Sequence, residues 1–377
     1  MKKTLICLSY YKPNISGVTV YAEILAKILK KRGSKVSVLC SRAEGYEGES
    51  NEDGIRIIRS WVMFRIGKGL VMPFFVWDSY KEVKRNDLIN CHLPQLESFI
   101  VAVWAKILRK RLIITHHCEF GFDGTISNRL ISILSFPFHM ISYMLADRIV
   151  SYTKDYASKS IFLRMFSKKI EFILPPVLVE KEDRKKMEEL GRKIGLLEGE
   201  KVVLYVGRIA WEKGLNFLIE AVEMISKKRK VRLVLVGPYE GILGDKSILS
   251  LSKMIERNKK NICLYGAMKH EELVNIYKIS DCLVLPSTNN LETFGIVQAE
   301  AMLCGCPVVA SDLPGVRMPV KMTGLGEISK IGESKDLAKK IEIVLREKYP
   351  SNKFEEAKKL FALSVFEDKY VKLFSEE

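Results

Sequence analysis

The sequence of 377 residues contains no G-x-G-x-x-G, no Asp-x-Asp and no C-x-x-C. Each absence removes a class of protein. Without a glycine fingerprint after the first strand-like run, which "CLSYYKPNISG" cannot supply, a nicotinamide-dependent dehydrogenase is disfavoured. Without paired cysteines, the eight thiols spell neither a zinc site nor a disulfide framework. Those in apolar runs, such as Cys7 and Cys282, read as buried free thiols. No apolar run reaches membrane-spanning length either. The longest uncharged one, 130–146, has 17 residues and holds Pro137, His139 and three serines, so it reads as a buried or interfacial helix. The opening "MKKTLICLSYYKPN" is too short in apolar residues for a secretory signal. A reducing, cytoplasmic location is the expectation.

Acid is scarce relative to base: 45 Asp and Glu stand against 61 Lys and Arg, a net +16. The excess is uneven. Residues 1–180 carry 27 basic and 16 acidic side chains, and 181–377 carry 34 and 29. A basic first half calls for an anionic partner, which composition leaves open among nucleic acid, an acidic polymer, a membrane surface or plain solubility.

What is present is a repeated alternation. "TLICLS", "KVSVLC", "IRII", "DLINCH", "RLIITHH" and "RIVSYT" read as strands in the first half. "KVVLYVG", "VRLVLVG", "NICLYG", "DCLVLPS" and "PVVASD" repeat the pattern in the second. Between them lie helical periodicities, as in 18–29, where Val18, Tyr21, Ala22, Leu25, Ile28 and Leu29 share a face. Continuous apolar strands alternating with helices imply parallel sheets covered on both faces. A charged stretch bounded by Pro-Pro and Gly breaks the pattern. The expected organisation is an N-terminal domain over 1–178, a linker over 179–199 and a second domain over 200–353. A C-terminal helical segment, 354–377, can bridge back to the first.

The residues of chemical interest gather after strands, where open α/β sheets bind ligands. "YVGRIAWEKG" places Arg208 and Lys213 in a loop before a helix, where two cations can converge on a diphosphate. "STNNLETFGIVQAEAM" places Gly295, Ile296 and Val297 at a helix N-terminus, whose free amides can hold phosphate oxygens. Glu292 and Glu300 flank that point eight residues apart. They either reach hydroxyls on the two sides of a bound anion or simply cap and solvate the helix.

Together, "GRIAWEKG" and "LPSTNNLETFGIVQAEAMLCGCPVVASDLPG" resemble the donor-binding signature of the retaining nucleotide-sugar glycosyltransferases of family four, the glycosyl transferases group 1. The resemblance covers essentially the whole chain and is sharpest from Val202 to Gly315. It implies the GT-B fold, α/β with two doubly wound Rossmann-like domains facing a central cleft. It also implies that Arg208 and Lys213 bind the donor diphosphate, Glu292 the transferred sugar and Glu300 the ribose. The resemblance likewise implies that Phe294, Gly295, Ile296 and Val297 bind the donor, the last three through backbone amides. In the first half, "YYKPNISGVTVYAEILAKIL" resembles the family's first loop and helix, with Gly17 against the donor, although Ser16-Gly17 stands where many members have Gly-Gly. "IITHHCEF" resembles its T-x-H element, and spacing from Thr115 favours His117 over His116 as the residue near the sugar. The loop "STNNLE" is two residues longer than the common spacing, which changes the sugar side of the site.

The implied enzyme is a retaining hexosyltransferase moving sugar from a UDP- or GDP-sugar to a hydroxyl of a glycan or lipid-linked acceptor. His117, Glu292, Arg208 and Lys213 are its catalytic candidates. With no Asp-x-Asp, cationic side chains and amides stand in for a metal, so neither metal nor other cofactor is expected. A sugar-nucleotide epimerase or hydrolase on the same fold is the alternative. A nucleic-acid partner is not expected, because it would not require the ordered donor motif. "WVMFRIGKGLVMPFFVW" and "NRLISILSFPFHMISYMLADR" join apolar to basic residues, consistent with peripheral contact with an anionic membrane at the inner face, or with ordinary core helices.

Overall fold

The computed structural model describes residues 2–14, 16–66, 69–119, 126–238, 247–289 and 291–375. It divides into two units. Unit 1 comprises Met1–Pro176 with Ser364–Glu377, and unit 2 comprises Val177–Leu363.

Unit 1 opens with β1 (Lys3–Cys7), α1 (Gly17–Lys31), β2 (Lys35–Ser41), β3 (Glu49–Glu52) and β4 (Ile55–Ser60). A hairpin of β5 (Phe64–Ile66) and β6 (Gly69–Val71) leads to α2 (Phe75–Arg85) and β7 (Leu88–Leu93). There follow α3 (Ser98–Ile107), β8 (Arg111–His116), α4 (Ile126–Leu145) and β9 (Arg148–Ser151). Two short helices, α5 (Lys154–Ala157) and α6 (Ile161–Met165), precede β10 (Ile170–Phe172). The main sheet runs β10-β9-β8-β7-β1-β2-β4-β3 and is parallel except for the edge strand β3. Leu5, Ile6 and Cys7 of β1 are all fully buried, as a strand covered on both faces requires. On one face α2, α3 and α4 lie side by side: Trp104 Nε1 of α3 donates to the Val76 carbonyl of α2, and Phe99 of α3 meets Phe138 of α4. Helix α1 starts at Ser16, whose hydroxyl accepts from the Thr19 N–H at 3.2 Å, satisfying one amide the helix cannot.

Unit 2 begins at α7 (Arg184–Lys193), within the stretch read from sequence as a linker. Asp183 caps it, and it packs on α10 (Leu273–Lys278), to which Asp183 N–H also donates through Asn275. Then come β11 (Lys201–Val206), α8 (Leu215–Ser226), β12 (Val231–Val236), α9 (Ser247–Arg257) and β13 (Ile262–Gly266). After α10 the chain makes β14 (Cys282–Leu285), α11 (Ile296–Leu303), β15 (Val308–Ser311), α12 (Met318–Thr323) and β16 (Gly326–Ser329). The sheet, β13-β12-β11-β14-β15-β16, is parallel throughout. Helices α13 (Ser334–Arg346) and α14 (Ser351–Leu360) close the unit.

The last helix, α15 (Leu363–Ser375), belongs to unit 1. Its Tyr370 is fully buried, and its hydroxyl lies 2.8 Å from that of Tyr21 on α1 and 3.0 Å from the Thr115 hydroxyl on β8. The 354–377 segment is therefore two helices, one in each unit.

Candidate active site

In unit 2 the chain leaves β11 toward β12 and β13 on one side, then returns to lay β14, β15 and β16 on the other. Order reverses between β11 and β14, and such a switch point is where open sheets leave a crevice beyond the strand ends. Both motifs singled out from the sequence follow these two strands. The loop after β11 carries Arg208, half-buried, with its carbonyl fixed by the Tyr205 hydroxyl at 2.8 Å. The single-turn helix Trp211–Lys213 brings Lys213 across the switch point, where its Nζ meets Glu292 Oε2 at 2.7 Å. Each of these side chains is about one-fifth exposed, so the pair lies at the surface of the crevice.

Two glycines make this closeness feasible. Gly214 has φ +70°, and a Cβ there would stand 2.0 Å from the Pro286 carbonyl oxygen at the end of β14. Gly295 (φ +73°) turns the chain into α11, where a Cβ would meet Leu285 and Gln298. Ile296 and Val297, half-buried, open the first turn of α11. Phe294, expected at the donor, is buried in unit 2 with its ring edge-on to Phe361.

Glu300 sits one turn further along α11 and is 5% exposed. Its carboxylate is held at both oxygens: His270 Nε2 lies 2.8 Å from Oε1, and the Tyr277 hydroxyl donates to Oε2 at 2.8 Å. Bonding to Glu300 raises the imidazole pKa of His270 above its ordinary value, against a smaller opposing effect of burial. Sequence reading missed both partners. They lie 30 and 23 positions upstream, in a segment with no motif of its own. The available signal was indirect: a carboxylate on an apolar helix face must find donors somewhere.

Unit 1 is built differently around its candidates. Gly17 is the exposed first residue of α1, and a Cβ there would meet nothing within 4 Å, so its own unit does not demand a glycine. His117 is only 5% exposed. Its Nε2 pairs with His92 Nδ1 at 2.8 Å, its Nδ1 with the Tyr152 hydroxyl, and its backbone N–H donates to Leu93. His116 is tied likewise to Tyr143 and Tyr156. Burial depresses all three imidazoles, His92 and His116 to about 3, and keeps them neutral. Both ring nitrogens of His117 are thus engaged within unit 1. Doublet spacing could not reveal this, because His92 lies on β7 and Tyr152 just after β9.

Among the described residues no group of three His, Cys, Asp or Glu could hold a metal ion, and no helix is long and apolar enough to cross a membrane.

The comparisons with known proteins agree on the class of enzyme. The glycosyl transferases group 1 model matches residues 186–361, and the glycosyltransferase family 4 model matches residues 15–181. A glycosyltransferase of Methanocaldococcus jannaschii, uncharacterized in its own right, is 26% identical over 85% of this chain and 83% of its own. The N,N'-diacetylbacillosaminyl-diphospho-undecaprenol alpha-1,3-N-acetylgalactosaminyltransferase of Campylobacter jejuni is 25% identical over 86% of this chain and 85% of its own. Among solved structures, HepE of Anabaena in complex with UDP and glucose has a TM-score of 0.76 at 19% identity, covering 100% of both chains. HepE has also been solved with UDP-glucose. The fold is GT-B, two Rossmann-like α/β domains. The chain belongs to the family 4 glycosyltransferases and is a glycosyltransferase enzyme.

Proposed function

We propose that the protein transfers a hexose from a UDP- or GDP-sugar to a hydroxyl of a glycan or lipid-linked acceptor, with retention of anomeric configuration and without a metal ion. The observation that carries this reading is the Lys213–Glu292 pair beside the α11 N-terminus at the switch point of the unit 2 sheet, with Arg208 in the loop after β11. A nucleotide diphosphate suits that crevice, because two cations and free helix amides face an anion there. Glu292 exchanges its bond to Lys213 for one to the sugar, and Lys213 turns to the phosphates. Glu300, oriented by His270 and Tyr277, accepts from the ribose hydroxyls.

During transfer the diphosphate departs with the bonding electrons, and Arg208, Lys213 and the amides of residues 295–297 stabilise its charge. Preorganised stabilisation of that kind is usually the largest catalytic contribution. The departing oxygen accepts the acceptor proton on the same face, so configuration is retained. His117, at the end of β8, positions the sugar through its backbone, its imidazole being held by His92 and Tyr152. The Campylobacter relative, whose name places its product on a diphospho-undecaprenol carrier, supports a lipid-linked acceptor. That acceptor and the basic charge of unit 1 favour peripheral work at the inner face of an anionic membrane.

The test is transfer of labelled sugar from a panel of UDP- and GDP-sugars to polyprenyl-diphosphate glycans, with the anomer read by NMR. Release of free sugar without acceptor product, or an inverted anomer, overturns the proposal.

A further inference from the structure

Helices α2 and α4, joined through α3, carry large apolar side chains that are exposed. From the α2 side come Trp61 and Phe74, with ring centroids 5.8 Å apart, and Trp77, which is 65% exposed. From α4 come Leu134 at 61%, Phe138 and Met144 at 60%. A solvent-facing helix normally alternates charge with apolar residues. Residues 130–146 contain no charged side chain at all. Scattered exposed hydrophobics need no explanation, whereas several on adjoining helices mark an interaction surface.

The charge around this surface selects the partner. Lys81 and Lys84 follow Trp77 on α2, Lys106 lies in the last turn of α3 and Arg109 in the turn after it. Several acids beside them are occupied internally. Asp78 accepts from the Ser60 hydroxyl, Glu82 pairs with Arg56 and Arg85, and Asp147 accepts from the Leu112 N–H. Unit 1 holds 29 Lys and Arg against 19 Asp and Glu, so a second copy would bring like charge to like. We infer that this face of unit 1 lies on an anionic lipid bilayer, with the α2 and α4 side chains inserted among the acyl chains and the surrounding cations on the headgroups. No helix spans. The inference deepens the membrane-side reading of the acceptor and rests on it, but adds an apolar component that charge alone would not supply.

That component gives the test its discrimination. Electrostatic attachment fails at about 1 M salt, where the screening length is roughly 3 Å, while apolar insertion persists. The full chain is floated with phosphatidylglycerol-containing vesicles at low and high salt, beside the variant Trp77→Gln/Leu134→Gln/Met144→Gln. Wild type should float at low salt and remain partly bound at high salt. The variant should lose the salt-resistant fraction, roughly tenfold per side chain that inserts fully. Its folding is checked by thermal unfolding and by nucleotide affinity, a property of unit 2. Complete release of wild type by salt, no flotation at all, or unchanged flotation of the variant each overturns the inference. So does a wild-type dimer in sedimentation that the variant abolishes. Transfer to a short water-soluble acceptor, measured in parallel, separates loss of membrane attachment from failure of the glycosyltransfer reading.

Discussion

Lys213 and Glu292, 79 positions apart, share a 2.7 Å ion pair across the point where the unit 2 sheet reverses its order. Each neutralises the other where a diphosphate and a sugar are proposed to bind. Lys213→Ala should therefore weaken nucleotide-sugar binding twice over, by removing a cation and by leaving Glu292 to repel phosphate. A charged hydrogen bond is worth about 1.5–3 kcal/mol, or roughly one to two decades. Adding Glu292→Gln to Lys213→Ala should restore part of the nucleotide affinity while leaving transfer impaired. Calorimetry with UDP and GDP measures this, and strictly additive losses would deny that the two side chains share the site.

Glu300 offers a separate test. Glu300→Gln should weaken nucleotide binding by roughly one to two decades. Tyr277→Phe removes the donor to Oε2 from a buried carboxylate and should destabilise unit 2 by about 1–3 kcal/mol, read from denaturant unfolding. Unchanged nucleotide affinity in folded Glu300→Gln would leave Glu300 a purely structural anchor.

His270 introduces a pH dependence. Its folded pKa is raised above the ordinary 6.5, chiefly by Glu300, with Glu180 and Glu271 adding to it. A raised folded value means that the stabilisation is complete below the unfolded pKa and is lost as pH rises through the folded one. Thermal stability of wild type relative to His270→Gln should thus decline from acid to mildly alkaline pH. A difference independent of pH would show that His270 acts without its charge.

Backbone geometry predicts an ordering of glycine substitutions. Both Gly214 and Gly295 are left-handed, and either alanine carries strain of about 1–3 kcal/mol. At Gly295 the new Cβ meets the ends of Leu285 and Gln298 side chains, which can shift. At Gly214 it meets the Pro286 backbone carbonyl, which cannot move without displacing β14. Gly214→Ala should be the more destabilising of the two, as the denaturation midpoints will tell.

Chelation supplies the simplest check on the charge arrangement. With cationic side chains and amides stabilising the leaving group, EDTA should leave the transfer rate nearly unchanged. Loss of activity restored by Mg²⁺ or Mn²⁺ would refute metal independence.

Much of this was legible in the sequence because apolar strands announce themselves. The eleven runs read as strands correspond to β1, β2, β4, β7, β8, β9 and β11–β15. Missed were the exposed edge strand β3 (ESNE), the three-residue strands β5, β6 and β10, and the terminal strand β16 (GEIS), where too few side chains are buried to leave a pattern. The candidate site was legible because its glycines, cations and carboxylates lie within two short stretches of sequence. Long-range partners were not: nothing near Glu300 in sequence names His270 or Tyr277. Nor does anything near His117 name His92 and Tyr152. Such pairings are fixed by strand order, which periodicity does not encode.

The return of α15 to unit 1 bears on how the polypeptide acquires its form during synthesis. Domains emerging from a ribosome ordinarily fold in order, the first complete before the second appears. Here unit 2 is inserted within unit 1, whose remaining part, from Ser364 onward, is translated only after unit 2 is whole. Until Tyr370 arrives, the hydroxyls of Tyr21 and Thr115 lack the partner that later joins them. Unit 2 can therefore mature before unit 1, although most of unit 1 is made earlier.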